Sequence, residues 1–139
     1  MNDVSSPSAE NVSLLERIRM GEILARDCPS REILNHVCSR WGVLVLVVLL
    51  DGTHRFSELR RKIGGVSEKM LSQTLQSLEQ DGFLGRKALP VVPPHVEYRL
   101  TPLGEEVALQ VNGLTTWIEQ NLPRIMDARQ ARTTTPEDS

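Results

Sequence analysis

A predicted helix over residues 67–81, SEKMLSQTLQSLEQD, carries polar side chains whose types suit contact with DNA bases. Leu71, Leu75 and Leu78 share one stripe of this helix by the i, i+4, i+7 rule. The residues that point away from the stripe are Lys69, Ser72, Gln73 and Gln76. Glutamine can bond adenine through two atoms, serine can bond several base edges, and lysine suits guanine or phosphate. We therefore predict DNA contact by this face, the alternative being an ordinary solvated helix.

Positive charge is concentrated just before this helix. Between Gly52 and Leu71 there are five basic and two acidic residues, whereas the first 27 and the last 40 residues are each net acidic. Ser67 is predicted to cap the helix, whose free backbone N–H groups favour an approaching phosphate. Arg60, Arg61 and Lys62 are predicted to contact the DNA backbone. Arg55, Arg86 and Lys87 flank the predicted hairpin, and some of them, Arg55 and Lys87 in particular, could reach phosphate or the minor groove. A charged, solvated face is the alternative.

Cys28 precedes Pro29 at the predicted start of another helix. The dipole at a helix N-terminus favours a thiolate, and Arg26 or Arg31 could add to this effect, whereas Asp27 opposes it. A reactive thiol is one interpretation of Cys28, and a capping or packed thiol is the other.

The remaining candidate ligands and motifs indicate neither a metal site nor an enzyme. Cys38 lies near the apolar face of the helix that begins at Pro29, so we expect a buried thiol there. The spacing of Cys28, His36 and Cys38 matches no structural zinc pattern. No phosphate loop, nucleotide fingerprint or nucleophile elbow occurs. We predict no catalytic residues, no metal and no cofactor.

The elements that position these residues are delimited by capping and turn residues. Three helices are predicted first: one from Ser13 (with Glu16) to about Ala25, one from Pro29, and a central one between Ser39 and Asp51. A short extended piece at 54–56 follows, and then a helix capped by Ser57, a turn at Gly64–Gly65 and the helix capped by Ser67. Two strands at 83–88 and 95–100 and a last helix from Thr101 complete the predicted order. A helix-turn-helix followed by a hairpin is a winged-helix arrangement, so the predicted fold is mainly α with a small β-hairpin wing.

Composition indicates where the domain begins and ends and in which cellular compartment the protein is expected. Polar tails are predicted at 1–12 and 129–139, leaving a single domain at 13–128. The longest apolar run, VLVLVVLL at 43–50, is shorter than the ~20 residues that span a bilayer. No signal peptide is evident, and two cysteines without an export signal indicate reduced thiols. We expect a cytoplasmic protein with no membrane partner.

Several linked motifs between residues 28 and 122 resemble the HxlR-type (DUF24) winged helix-turn-helix regulators, which are related to MarR proteins. The most specific are the Cys28-Pro29 entry, RW at 40–41, RFSELRR at 55–61, GGVSEKML at 64–71, LEQDGF at 78–83 and VEYRLTPLG at 96–104. The resemblance implies a homodimeric transcription factor that dimerises through its N-terminal and last helices. The apolar stripe consistent with this comprises Leu103, Val107, Val111, Leu114, Ile118 and Leu122, with intramolecular packing as the alternative.

The resemblance also implies a function and a signal. Many relatives sense oxidants, quinones or aldehydes through a cysteine in the position that Cys28 matches. The implied function is a sequence-specific regulator that binds double-stranded DNA as a homodimer at an inverted repeat, with an oxidant or electrophile as signal. Two alternatives remain open: a winged-helix module that binds proteins, and a DNA-binding regulator controlled by a non-covalent small molecule.

Overall fold

The computed structural model describes residue 13, residues 15–16 and residues 29–133. The predicted capping box at the first helix is confirmed: Ser13 Oγ accepts from the Glu16 N–H at 3.2 Å, and Glu16 Oε1 accepts from the Ser13 N–H at 3.3 Å. The rest of that predicted helix, Cys28 and the tail at 1–12 lie outside the described residues.

From Pro29 to the helix that begins at Pro102, the order of elements agrees with the prediction. The elements are α1 (Pro29–Val37), α2 (Arg40–Leu49), β1 (His54–Arg55), α3 (Phe56–Ile63), α4 (Glu68–Gln80), β2 (Leu84–Leu89), β3 (His95–Leu100), α5 (Pro102–Gln120) and α6 (Leu122–Thr133). The fold is mainly helical with one small sheet, as predicted.

Hydrogen bonds confirm the predicted helix caps at Ser67 and Thr101 and show a further cap at Ser39, which was predicted only to precede α2. The side chain of Ser39 accepts from the Gly42 N–H at 3.1 Å at the start of α2. Ser67 accepts from the third residue of α4 at 3.1 Å, and Thr101 accepts from the third residue of α5 at 3.0 Å. Each cap satisfies a backbone donor that has no partner within its own helix.

The predicted cap at Ser57 is wrong. Helix α3 begins at Phe56 and its N-cap residue is Arg55, two positions before the predicted cap. The Arg55 backbone N–H donates to Glu58 Oε1 at 2.8 Å. Because the Glu58 carboxylate satisfies this end of the helix, Ser57 lies inside the first turn and its hydroxyl is not needed as a cap.

Helix α2 lies at the centre of the core and contacts α3, α4, α5 and β3. Its Val45, Leu46 and Leu49 are buried. The other elements contribute the rest of the buried apolar cluster, namely Val37, Leu59, Val66, Leu71, Leu75, Leu78, Phe83, Leu84, Tyr98, Ala108 and Val111. A helix surrounded on most sides needs apolar residues on most sides, which explains the unbroken apolar run in α2.

The turn between α3 and α4 uses the two glycines that predicted it. Gly64 and Gly65 have φ values of 65° and 85°, a left-handed conformation that other residues rarely adopt. The predicted helix-turn-helix is therefore present.

The three strands form an antiparallel sheet in the order β1-β3-β2. His54 pairs with Tyr98, which pairs with Arg86, and the first two of these residues are buried. In the adjacent row, Arg55 pairs with Glu97, which pairs with Lys87. Since directly paired residues share a face and successive residues alternate, the row containing Arg86 lies on the core side and the row containing Lys87 on the outer side.

The end of the chain differs from the prediction. Helix α5 ends at Gln120, so Leu122 belongs to a separate helix, α6. Residues 129–133, predicted to be tail, continue α6 to Thr133. None of the residues of α6 is buried, so burial does not explain this helix. Its Met, Ala, Arg and Gln residues have high intrinsic helix propensity, which a search for apolar periodicity does not detect.

Cys38 is exposed, so the expectation of a buried thiol is wrong. Helix α1 ends one residue earlier, and Cys38 lies in the turn before the Ser39 cap. Only Val37 is buried in α1, while Ile33 and Leu34 are 38% and 45% exposed. The apolar face predicted for this helix therefore packs on the core only at its last residue.

Within the described residues, no single helix is long and apolar enough to cross a membrane. The pair α1 and α2 reaches that length and hydropathy only when taken together, and it bends by 68°.

Candidate nucleic-acid interface

Helix α4 has one buried face and one free polar face. Leu71, Leu75 and Leu78 are at most 1% exposed. On the opposite face, four exposed side chains make no hydrogen bond or ion pair to any other described residue: Lys69, Ser72, Gln73 and Gln76. The four residues predicted to contact bases or phosphate therefore share one surface, with their donors and acceptors available to a partner.

Ser67 has a defined task at the start of α4. Its Oγ accepts the Met70 N–H, and the residue is exposed. The hydroxyl keeps a proton to donate, and the first turn of the helix presents its positive dipole end beside it. This end of α4 can therefore accept a phosphate, although Glu68 places a carboxylate in the same turn.

Arg60 bridges the turn between the two helices. Its Nη1 donates to Glu68 Oε2 at 3.2 Å, and its Nε donates to the Val66 carbonyl at 3.5 Å. The Arg60 side chain is 47% exposed, so it is open to solvent while making these bonds. The bonds connect the last turn of α3 to the beginning of α4, which gives this predicted phosphate contact a second role in positioning the helix.

Lys62 contacts a buried histidine. Its Nζ lies 2.8 Å from His54 Nε2, and His54 Nδ1 lies 2.7 Å from the Gly52 carbonyl. An ammonium can only donate and a carbonyl can only accept, so Nε2 accepts from Lys62 and Nδ1 donates to the Gly52 carbonyl. This chain of bonds connects α3 to β1. Arg61 is exposed and makes no such bond within the described chain.

The carboxylate at the start of α3 is electrostatically stabilised. The hydrogen bond from the Arg55 backbone N–H lowers the pKa of Glu58 from its ordinary value of 4.5, and the charges of Arg55 and Arg61 act in the same direction. Glu58 is therefore ionised at neutral pH and holds the N-terminus of α3 in place.

The hairpin presents different cations on its two faces. Arg55 and Lys87 flank Glu97 in the outer row, so a carboxylate lies between these two predicted contacts. Arg86 was not assigned to either face of the hairpin from the sequence. Together with Ser72, Gln76, Glu79 and Tyr98 it lines a groove of about 340 Å³ between α4 and the hairpin.

The strand pattern contained a signal for Arg86. Leu84 is buried at the start of β2, and Arg86 is two residues later, so both are on the same face of the strand. Extending the alternation from Leu84 would have placed Arg86 beside the helix and Lys87 away from it.

The predicted apolar stripe is divided between the core and the surface. Val111 is buried and Val107 half-buried, facing the core. The exposed members are Leu103, Leu114, Ile118 and Leu122. Three further large apolar side chains on α5 and α6 are exposed and were not predicted: Leu109, Trp117 and Met126. The two helices together carry an apolar surface that nothing in the described chain covers.

Metal ligands do not converge in the described part of the chain. There, no group of three His, Cys, Asp or Glu side chains lies close enough to hold an ion.

Two helices joined by a glycine turn, a second helix with a free polar face, and a hairpin beside it define a winged helix-turn-helix protein. The HxlR-like helix-turn-helix family matches residues 36–126, and this chain belongs to that family. It is a family of transcriptional regulators and not of enzymes. The resemblance seen in the sequence is therefore confirmed.

Three relatives show how far the similarity extends. YtfH of Escherichia coli (strain K12), an uncharacterized HTH-type transcriptional regulator, is 65% identical over 121 residues, which are 87% of this chain and 96% of the relative. The solved structure of YtfH from Salmonella typhimurium is 68% identical, with a TM-score of 0.74, covering 77% of this chain and 96% of that one. The redox regulator HypR in its oxidized form is 34% identical, with a TM-score of 0.62, covering 68% and 97%.

Proposed function

We propose that this chain is a sequence-specific regulator that binds double-stranded DNA as a homodimer, with α4 in the major groove. The observation that carries the proposal is the free polar face of α4. Its leucines are buried on the opposite side, so the helix cannot turn this face inward without exposing them. A helix of this size fits the major groove, where Gln73 and Gln76 can meet base edges.

The contacts that surround α4 suit the DNA backbone. Arg61 on α3 is exposed, and Arg60 and Lys62 flank it in the sequence. In this class of fold the first helix of the pair crosses the backbone. Phosphate contacts by these residues, by the start of α4 at Ser67, and by Arg55, Arg86 and Lys87 on or beside the sheet would fix the register of α4 without specifying a base.

A second copy of the chain is the proposed partner of the α5–α6 apolar surface. Trp117 is 53% exposed on that surface, and it lies among aliphatic side chains that water would otherwise contact. Covering them with the same surface of a second copy gives a two-fold dimer with two α4 helices. Such a dimer binds an inverted repeat whose half-sites are about 10 bp apart, or a multiple of that spacing. The proposed site of action is the cytoplasm.

Cys28 is the proposed sensor of an oxidant or electrophile. The relative HypR is described as a redox regulator in an oxidized form. In this chain α1 begins at Pro29, directly after Cys28, so a change at the thiol occurs at the end of an element that contacts α4. Diamide takes one hydrogen from each of two thiols and leaves a disulfide between them, and the second thiol proposed here is Cys28 of the other copy in the dimer. This reaction makes the proposal testable.

The DNA proposal is tested by selecting bound duplexes from a random library with the reduced, full-length protein. Fluorescence anisotropy then compares an enriched duplex with a scrambled one at several salt concentrations. We expect an enriched inverted repeat, preference for it over the scrambled duplex, and a log–log salt slope near −0.9 for each phosphate contact. Absence of DNA binding even at low salt would contradict the proposal and favour a protein-binding module.

The sensor proposal is tested by repeating the titration after diamide treatment. We expect a change in affinity for the wild type and for Cys38→Ser, the matched control, and no change for Cys28→Ser. If Cys28→Ser responds to diamide as the wild type does, Cys28 is not the sensor.

A further inference from the structure

One bond connects α1 to α4 across a large separation in sequence. His36 Nδ1 lies 2.6 Å from Asp81 Oδ2, and the two residues are 45 positions apart. Their side chains are 22% and 13% exposed, so the bond is largely shielded from water. Val37 is the only buried residue of α1, so apolar burial attaches this helix to the core only at its last residue.

The Asp81 carboxylate is not used to cap its own helix. Asp81 is the C-cap residue of α4, and its backbone N–H donates to the carbonyls of Ser77 and Glu79. The side chain is therefore available to accept from His36, and the bond serves the contact between helices. Its loss would leave the backbone bonds at the end of α4 in place.

A cavity of about 220 Å³ lies beside this bond, between α4 and the segment formed by α1 and the start of α2. His36 and Trp41 line one side, and Met70 and Gln73 line the other. Because the cavity separates these side chains, they make few dispersion contacts with one another across it. Gln73 belongs both to this wall and to the free polar face of α4.

We propose that the bond between His36 and Asp81 positions α4, the proposed recognition helix, and that it sets how Gln73 meets the base pairs. His36 and Asp81 are positioning residues that act on DNA through α4. The inference rests on the proposed function, because it concerns the fit of α4 in the major groove.

The test measures the ratio of affinities for the enriched and the scrambled duplex. His36→Ala and Asp81→Ala should each lower this ratio by roughly three- to tenfold, the range expected from one hydrogen bond. The double variant should lose no more than either single variant, because both remove the same bond. Single variants with the wild-type ratio, or a double variant whose loss is the product of the two single losses, would overturn the inference.

Two further variants separate positioning from general stability. Ala108→Gly affects a buried residue of α5, far in sequence from the bond, and should lower the free energy of unfolding while leaving the affinity ratio unchanged. Asp81→Asn keeps an oxygen that accepts from His36, and should therefore lose less of the ratio than Asp81→Ala. If Ala108→Gly lowers the affinity ratio as much as His36→Ala does, the effect is one of general stability and the inference is overturned. If Asp81→Asn and Asp81→Ala lose the same amount of the ratio, the effect is one of charge, which also overturns the inference.

Binding by the wild-type protein shows whether the positioning role alone fails or whether the proposed function fails as well. If the wild type prefers the enriched duplex and the His36 and Asp81 variants do so equally, only the positioning role fails. If the wild type enriches no duplex, sequence-specific binding fails and the positioning role is overturned with it.

Discussion

The two helices of the helix-turn-helix use their polar residues differently. On α3, Arg60 donates to α4 and to the turn, and Lys62 donates to His54. On α4, the outward side chains, among them Gln73 and Gln76, make no such bonds within the described chain. The difference indicates that polar side chains of α3 stabilise the helix-turn-helix through hydrogen bonds to neighbouring elements. The outward side chains of α4 are available to bind a partner. A count of polar residues does not show this distinction.

The largest expected effect contrasts the two faces of α4 itself. Leu75→Ala removes a side chain that is 1% exposed, and should lower the free energy of unfolding by about 2–5 kcal/mol. Gln76→Ala, at the next position, should change it by less than about 0.5 kcal/mol. Urea unfolding followed by circular dichroism measures both. Equal stability losses would show that the face carrying Gln76 is part of the core packing.

The next effect concerns base contact by the free face. Gln73→Ala should weaken binding to the enriched duplex by about 1–3 kcal/mol and relax the preference at one base position of each half-site. Gln80→Ala, at the exposed end of the same helix, is the matched control and should have little effect. Fluorescence anisotropy on single-base variants of the duplex provides the measurement. A uniform loss on all duplexes would reassign Gln73 to the DNA backbone.

A smaller effect distinguishes Arg61 of α3, whose side chain makes no hydrogen bond within the described chain, from Arg60, whose side chain donates to Glu68. Arg61→Gln should weaken binding to all sequences alike and reduce the magnitude of the salt slope by about 1. Arg60→Gln should in addition lower the free energy of unfolding, by up to about 1 kcal/mol, because it removes the exposed bond to Glu68. Anisotropy at several salt concentrations and urea unfolding measure the two quantities. A change of base preference in Arg61→Gln would contradict its assignment to phosphate.

On the hairpin, Arg86 and Lys87 should differ in their contribution to the salt slope of DNA binding, and the difference should be smaller than that on α3. Arg86→Gln should reduce the magnitude of the salt slope by up to about 0.9, the value of one phosphate contact, because Arg86 lies beside α4. Lys87→Gln should reduce it less, because Glu97 is its pairing partner in the sheet. The salt dependence of anisotropy tests this order. A larger effect at Lys87 would place the outer face of the hairpin against DNA.

The smallest effect is a pH dependence at the start of α3. The folded protein lowers the pKa of Glu58 below 4.5, so the ionised carboxylate stabilises the fold at and above that pH. This contribution is lost as the pH falls through the lower, folded-state value. Glu58→Gln should therefore be slightly less stable than the wild type at neutral pH, and the two should converge in acid. Urea unfolding measures the free energy of unfolding of both proteins. If the two values differ by the same amount at every pH, the charge of Glu58 does not cause the difference.

Much of the fold could be predicted because its signals are local. Ser39, Ser67 and Thr101 cap helices through bonds to residues three positions away, and Gly64–Gly65 forms the turn by its own conformation. The free face of α4 follows from the spacing of its leucines, which requires only helical geometry.

The features that were missed depend on contacts between distant elements. The bond from His36 to Asp81 joins residues 45 positions apart, and the bond from Lys62 to His54 depends on how α3 packs against β1. The exposure of Cys38 follows from where α1 ends, which capping rules fix only to within a residue or two. Arg86 was within reach of strand alternation, once Leu84 was recognised as buried.

The central claim is that α4 occupies the major groove of each half-site, and chemical interference tests it most directly. Guanine N7 and the thymine methyl group lie in the major groove, so methylation of N7 or replacement of thymine by uracil alters only that surface. These changes are introduced one at a time into the enriched duplex, and binding of the wild-type protein is measured. We predict that they weaken binding within two clusters about one helical turn apart, or a multiple of that distance. Methylation of adenine N3, which lies in the minor groove, is the matched comparison, and interference confined to this modification would contradict the account.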